Sequence, residues 1–232
     1  MSALKPITVY AHSAGPNPFK VTIVLEELAV PYTKIVVDDP KEGWFVAINP
    51  NGRVPAIKDP NSDIVLWESG AIVEYLVETY DNDGKLCGTS PSNKWEIKQY
   101  LHFQMSGQGP YYGQAMWFNK CPQDIPLAKE RYVGEIIRVI GVLDNILEGK
   151  KYLVDGKLTY ADLAFVPWNR VIGQHPAFET SLWKKHDIVR RYPNFSAWYE
   201  RLNNLPSVQA AYKVIHDIED PSRLKNFEVP VL

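Results

Sequence analysis

Three short runs in the first third of the chain carry residue types suited to holding a charged ligand. In Gly15-Pro16-Asn17-Pro18-Phe19-Lys20, Asn17 is a favoured helix N-cap and Pro18 a favoured first helical residue. The Asn17 amide then either closes the helix end or points at an anion drawn by the unsatisfied N–H groups and the dipole there. In Arg53-Val54-Pro55-Ala56-Ile57 a proline opens a strand. A cis Val54-Pro55 bond would turn the Val54 N–H and C=O outward, to pair with a peptide as an added strand does; a trans bond would only begin an edge strand. Glu68-Ser69-Gly70-Ala71 stands at another helix start. Glu68 suits an ammonium, and the Ser69 hydroxyl and N–H suit a carboxylate, the two charges of an amino-acid end. The plainer alternative is Ser69 as a simple N-cap. Lys41 and Arg53 add cations that either meet a ligand carboxylate, Arg53 in bidentate geometry, or stay solvated.

The elements that must position these runs follow from periodicity. The spacing predicts strands over 7–10, 33–37, 54–58 and 64–67, and helices over 19–28 and 69–80. The first helix turns Phe19, Ile23, Val24, Leu25 and Leu28 inward, the second Ile72, Tyr75, Leu76 and Val77. Asp59-Pro60-Asn61-Ser62-Asp63 has hairpin chemistry. The order β-α-β, then β-β-α, implies a parallel pair joined by a crossover helix, with antiparallel strands on one side. Residues 82–91 are polar and turn-rich, and beyond them the pattern is helical near 92–118, 124–148, 159–175, 191–204 and 206–217. Thr159-Tyr160-Ala161-Asp162 opens the third of these as a variant capping box. The division expected is a first domain over 1–81, a linker over 82–91, a helical domain over 92–220 and an aperiodic tail over 221–232.

Composition excludes several classes. The 232 residues are 45% apolar and 22% charged with a net charge of −2, so no nucleic-acid or acidic-membrane partner is indicated. Cys87 and Cys121 are too few for a disulfide framework and have no metal-ligand spacing, so no metal is expected. Residues 1–10 lack a signal peptide's apolar run, and no stretch approaches the ~18 apolar residues of a membrane span. The expectation is a cytoplasmic globular protein with reduced thiols.

The order of the motifs adds more than any one of them. Asn-Pro-Asn-Gly-Arg-Val-Pro-Ala-Ile (Asn49 to Ile57), followed by Trp-Glu-Ser-Gly-Ala-Ile (Trp67 to Ile72), resembles the glutathione-site signature of cytosolic glutathione transferases. Pro16-Asn17 with Phe19-Lys20-Val21, and the run from Phe103 to Pro110, are similar to the bacterial nu class. They are equally similar to the fungal transferases related to the yeast nitrogen-regulator prion protein. The resemblance covers residues 5 to about 217. It implies an α/β thioredoxin-like N-terminal domain with a βαβ-ββα mixed sheet, an all-α C-terminal helical domain, glutathione as co-substrate, and a homodimer. Residue by residue it implies that Val54, before a cis Pro55, pairs with the cysteinyl backbone of glutathione. Glu68 and Ser69 hold the γ-glutamyl end, Arg53 helps fix the site, and Asn17 lies near the sulfur. Gln104 occupies a segment that in relatives reaches across the dimer interface toward the partner's glutathione.

The chain departs from the family at an informative place. Many members carry a catalytic Tyr, Ser or Cys just before the first helix, and by position that residue is Gly15 here. Asn17 and Ser13 are then the candidate sulfur-activating residues, with Tyr10 also nearby. The His or Arg that some relatives carry in the irregular segment is replaced by Pro40-Lys41, leaving part of that task to Lys41. The resemblance implies thiol activation for attack on electrophiles, or for glutathione-dependent disulfide or peroxide reduction. The alternative is a non-catalytic carrier or regulator that keeps only the cleft, which Gly15 favours. Tyr111 and Tyr112, with Phe165, Trp168 and Asn169 on a later helix, either line a pocket for flat apolar molecules or belong to the core. Trp44 and Phe45 are candidate apolar anchors at the dimer interface.

Overall fold

The computed structural model describes residues 3–12, 15–175 and 178–216. Alternating burial marks β1 (Ile7–Ala11), where Ile7, Val9 and Ala11 face inward. The chain forms helix α1 (Pro16–Glu27) and returns as β2 (Tyr32–Val36), parallel to β1 with Ala11 opposite Val36. After the single turn α2 (Gly43–Val46), β3 (Ala56–Asp59) runs antiparallel to β1, Tyr10 opposite Ala56. β4 (Ile64–Trp67) runs antiparallel to β3, Ala56 opposite Trp67, and leads into α3 (Ser69–Tyr80). The sheet order is β2-β1-β3-β4. The parallel pair requires the α1 crossover, and the antiparallel pair only the tight turn, where Asp63 takes a φ of 57°. This is the βαβ-ββα mixed sheet of a thioredoxin-like domain.

Helix α1 starts earlier than its sequence suggests. Gly15 is the N-cap, so Pro16 and Pro18 both sit in the first turn and Asn17 is the second helical residue instead of the cap. A first turn tolerates both prolines because its N–H groups have no helical partners. On α3, Ile72, Val73, Leu76 and Val77 are buried, whereas Tyr75 is only half-buried because its hydroxyl donates to Asp59 Oδ2 at 2.7 Å. Phe45 differs most from expectation. It is fully buried against Val37 and Ala56, with its ring 5.9 Å from that of Tyr10. A side chain enclosed by its own chain cannot anchor a dimer; of the expected pair, only Trp44 is exposed.

The second part is helical: α4 (Pro91–Phe103), α5 (Gly109–Lys120), α6 (Pro126–Ile146), α7 (Tyr160–Gln174) and the helix Pro193–Asn203. Ser90 caps α4, its Oγ accepting from the Asn93 N–H at 3.1 Å. The single helix expected over 92–118 is interrupted by a π-helical turn, Gln104–Gln108. Pro110 lacks the N–H that would bond the carbonyl four residues back, which favours a widened turn just before it. Helix α6 buries Ile136, Val139, Ile140 and Leu143, one stripe at spacings of three and four. Asp162 closes the capping box at the start of α7, accepting from the Thr159 N–H and hydroxyl at 2.9 Å each.

By compactness the described residues form two units, one of those through Lys85 together with 204–216, the other within Leu86–Asn203; the tail expected over 221–232 lies outside the described residues. The helix Pro206–His216, read from sequence as part of a 92–220 domain, therefore groups with the sheet. The reason is visible in one contact: the Tyr212 ring stacks on Phe19 of α1, centroids 4.1 Å apart and planes 17° from parallel.

Candidate functional site

Strand register gathers the motifs at one end of the sheet. Ala11, at the end of β1, lies opposite Val36, at the end of β2; Tyr10 lies opposite Ala56, the first residue of β3; and Ala56 lies opposite Trp67, the last of β4. The segments leaving from these points are the start of α1, the 37–55 irregular stretch and Glu68-Ser69. Asn17, Lys41, Arg53, Val54, Glu68 and Ser69 are thus brought to one edge by topology alone. Ser13 lies outside the described residues. Tyr10 is on β1, its ring among Trp44 and Phe45.

The 49–55 stretch is organised by a residue to which sequence reasoning gave no role. Asn49 is 2% exposed; its Nδ2 donates to the Arg53 carbonyl at 2.5 Å and its Oδ1 accepts from the Asn51 N–H at 3.0 Å. Gly52 turns the chain with a φ of 59°, and a Cβ there would lie 2.9 Å from Lys41 Cδ and 3.0 Å from the Pro40 carbonyl oxygen. Lys41 crosses that turn, donating from Nζ to the Asn51 carbonyl at 3.3 Å. Arg53 is exposed, and the Val54-Pro55 bond is cis. Lys41 and Arg53, far apart in a linear reading, therefore flank one tight turn.

At the start of α3, Glu68 has a φ of 72° and a ψ of 111°, a region that a side chain with a Cβ occupies at a cost of about 1–3 kcal/mol. Ser69, 3% exposed, follows as the first helical residue, and its Oγ accepts from Lys20 Nζ at 3.0 Å. Lys20, on α1, is fully buried. Burial holds its ammonium down, to a pKa of about 7, against the opposing pull of the Glu68 carboxylate. The sequence does signal this residue: Lys20 stands at spacings of three and four from Ile23 and Val24, on the face that α1 buries.

The residues expected in the helical unit divide by burial. Gln104 is fully buried and donates from Nε2 to Gln108 Oε1 at 3.0 Å; Gln108 donates in turn to the Phe165 carbonyl at 3.2 Å and to Asn169 Oδ1 at 2.8 Å. Phe165 is enclosed between the rings of Phe103 and Trp198. Tyr112, Phe165 and Asn169 are interior residues, so the aromatic spacing there marks core. Tyr111 and Trp168 remain half-buried. Tyr111 lies 6.4 Å from the Tyr132 ring and 5.8 Å from the Arg138 guanidinium carbon, and Trp168 covers Gly113, where a Cβ would approach its ring at 3.3 Å.

Comparison with known proteins bears on this arrangement. Residues 14–79 match the family model for the glutathione S-transferase N-terminal domain, and residues 111–206 that for the C-terminal domain. A glutathione S-transferase-like protein of Aspergillus fumigatus, tpcF, is 47% identical over 223 residues, covering 90% of this chain and 96% of the relative. Among solved structures, the glutathione transferase URE2P6 from Phanerochaete chrysosporium, in complex with oxidized glutathione, superposes with a TM-score of 0.84 at 41% identity over 93% of this chain and 99% of that one. Ure2p5 of the same fungus, cocrystallized with 1-(S-glutathionyl)-2,4-dinitrobenzene, superposes with a TM-score of 0.83 at 35% identity over 98% of this chain and 100% of the other.

Proposed function

The chain belongs to the glutathione S-transferase family, and we propose that it binds glutathione on the sheet-containing unit and activates the bound thiol. The thiol then serves either attack on an electrophile or glutathione-dependent reduction of a disulfide or peroxide. The observation that carries this reading is the meeting of Glu68-Ser69, the 49–55 turn and the start of α1 at one end of the sheet. Glu68 would take the γ-glutamyl ammonium and Ser69 the adjacent carboxylate, with the Val54 backbone pairing with the cysteinyl residue. Lys41 and Arg53, on either side of the Gly52 turn, supply positive charge to a carboxylate lying there. Relatives with bound oxidized glutathione and a bound aryl conjugate are consistent with both chemistries. Homodimerisation and a cytoplasmic location belong to the same reading.

The thiolate is the nucleophile, so the site must lower the pKa of the bound thiol. Asn17, in the first turn of α1, is suited to donating its amide N–H to the sulfur, where the helix N-terminus adds a favourable potential. A hydrogen bond to a charged acceptor contributes about 1.5–3 kcal/mol, which is roughly one to two pKa units. Asn17→Ala is therefore expected to lower turnover of an aryl halide or a small disulfide by roughly tenfold or more. Glutathione affinity should stay within a few-fold. Unchanged turnover would move the role to Tyr10 or Ser13.

Gly15 favours a second reading. The N-cap of α1 has no side chain to offer the sulfur, as in a carrier or regulator that binds glutathione without using it. Wild-type protein that binds glutathione but turns over neither substrate would establish that reading.

A further inference from the structure

A fully buried lysine is costly unless something uses its charge. Lys20 is such a residue, and the proposed mechanism does not draw on it. Its Nζ donates to Ser69 Oγ at 3.0 Å, and the Glu68 carboxylate acts on it electrostatically. Helix α1 packs on β1, α3 and the helix Pro206–His216. The other titratable groups those elements carry among the described side chains are Tyr10 on β1, Glu74, Tyr75, Glu78 and Tyr80 on α3, and Tyr212 and Lys213 on the last helix.

We propose that Lys20 is a positioning residue of the γ-glutamyl subsite: its ammonium donates to Ser69 Oγ, turns the Ser69 hydroxyl proton toward the ligand, and places a positive charge behind the ligand's α-carboxylate. The inference rests on the glutathione reading of Glu68 and Ser69. A serine oxygen that accepts from an ammonium orients its own O–H away from that donor and becomes a stronger donor itself. When protonated, the same lysine balances the Glu68 carboxylate behind the zwitterionic end of the ligand. Arrival of a carboxylate stabilises the charged form of Lys20. With a resting pKa of about 7, the lysine is mostly neutral at pH 8 and takes up a proton as its pKa rises on binding.

The test uses two thioethers, so that no thiol titrates: S-methylglutathione, and its analogue with 4-aminobutyrate replacing the γ-glutamyl residue, which keeps the ammonium and lacks the α-carboxylate. Calorimetric titration of the wild-type protein at pH 8, in two buffers of different ionisation enthalpy, is expected to show uptake of a fraction of a proton with S-methylglutathione and none with the analogue. Lys20→Met is expected to weaken S-methylglutathione about tenfold or more while changing affinity for the analogue less than twofold. Absence of proton uptake in the wild type overturns the proposal whether or not the variant folds. Equal weakening of both ligands also overturns it, because a merely structural lysine would act on both alike. If the wild type binds neither thioether, the glutathione reading itself fails and the role of Lys20 with it. Binding of both without discrimination or proton uptake removes Lys20 alone.

Discussion

Asp162→Ala is expected to lower the stability of the helical unit by about 3 kcal/mol or more, visible as a large fall in its urea midpoint. Asp162 is fully buried, and its two oxygens accept from four donors at 2.9 Å: the Leu153 N–H, the Thr159 N–H, the Thr159 hydroxyl and the Trp198 indole N–H. Burial pushes its carboxyl upward, and each of those bonds pulls it back. The residue therefore joins three pieces of chain: the 153 segment, the start of α7 and the helix Pro193–Asn203. Alanine leaves these donors buried without their acceptor, and an unsatisfied buried group costs about 1–3 kcal/mol. A loss below about 1 kcal/mol, the size of an ordinary exposed cap, would show that the capping box alone describes the residue.

Phe45→Asp is expected to unfold the sheet-containing unit, at a cost of about 4 kcal/mol or more. Removing a buried phenylalanine side chain costs about 3–5 kcal/mol, and a carboxylate in its place must be desolvated or protonated. The interface reading of the sequence leads elsewhere, to an intact fold and a shift from dimer to monomer. Circular dichroism separates the two: loss of the cooperative transition supports the core position, and a native spectrum with a monomeric sedimentation profile would support the interface.

The parts that were legible in the sequence were those where one physical signal dominates. Alternation in Ile7–Ala11 and the compact turn before Ile64–Trp67 set the strands, because a sheet with a buried face demands a period of two. The helix start at Ser69 was legible because a strand run ending at Trp67 gives way to a helical period. Where two solutions satisfy the same local rule, the sequence leaves them open. Pro16 and Pro18 are both admissible in a first turn, and the choice moved Asn17 off the cap. Phe45 stands in an irregular stretch without a period, so nothing local told its burial. Tyr112 and Phe165 repeat at a spacing common to cores and pockets. The partner of the helix Pro206–His216 is set by the Phe19–Tyr212 stack, a contact between residues 193 positions apart in sequence. Lys20 belongs to a legible run at the start of α1, yet its bonding depends on Ser69 of a different helix.

The most direct measurement is a calorimetric titration of reduced glutathione into the wild-type protein and into Glu68→Gln. Glutamine keeps the size and backbone preference of the side chain and removes the charge that would hold the γ-glutamyl ammonium. Saturable binding to the wild type, weakened about tenfold or more in Glu68→Gln, is the result predicted, since a charge-assisted hydrogen bond contributes about 1.5–3 kcal/mol. Equal affinity in the two proteins, or no binding to the wild type, would contradict the assignment of Glu68 and Ser69 to the glutathione site.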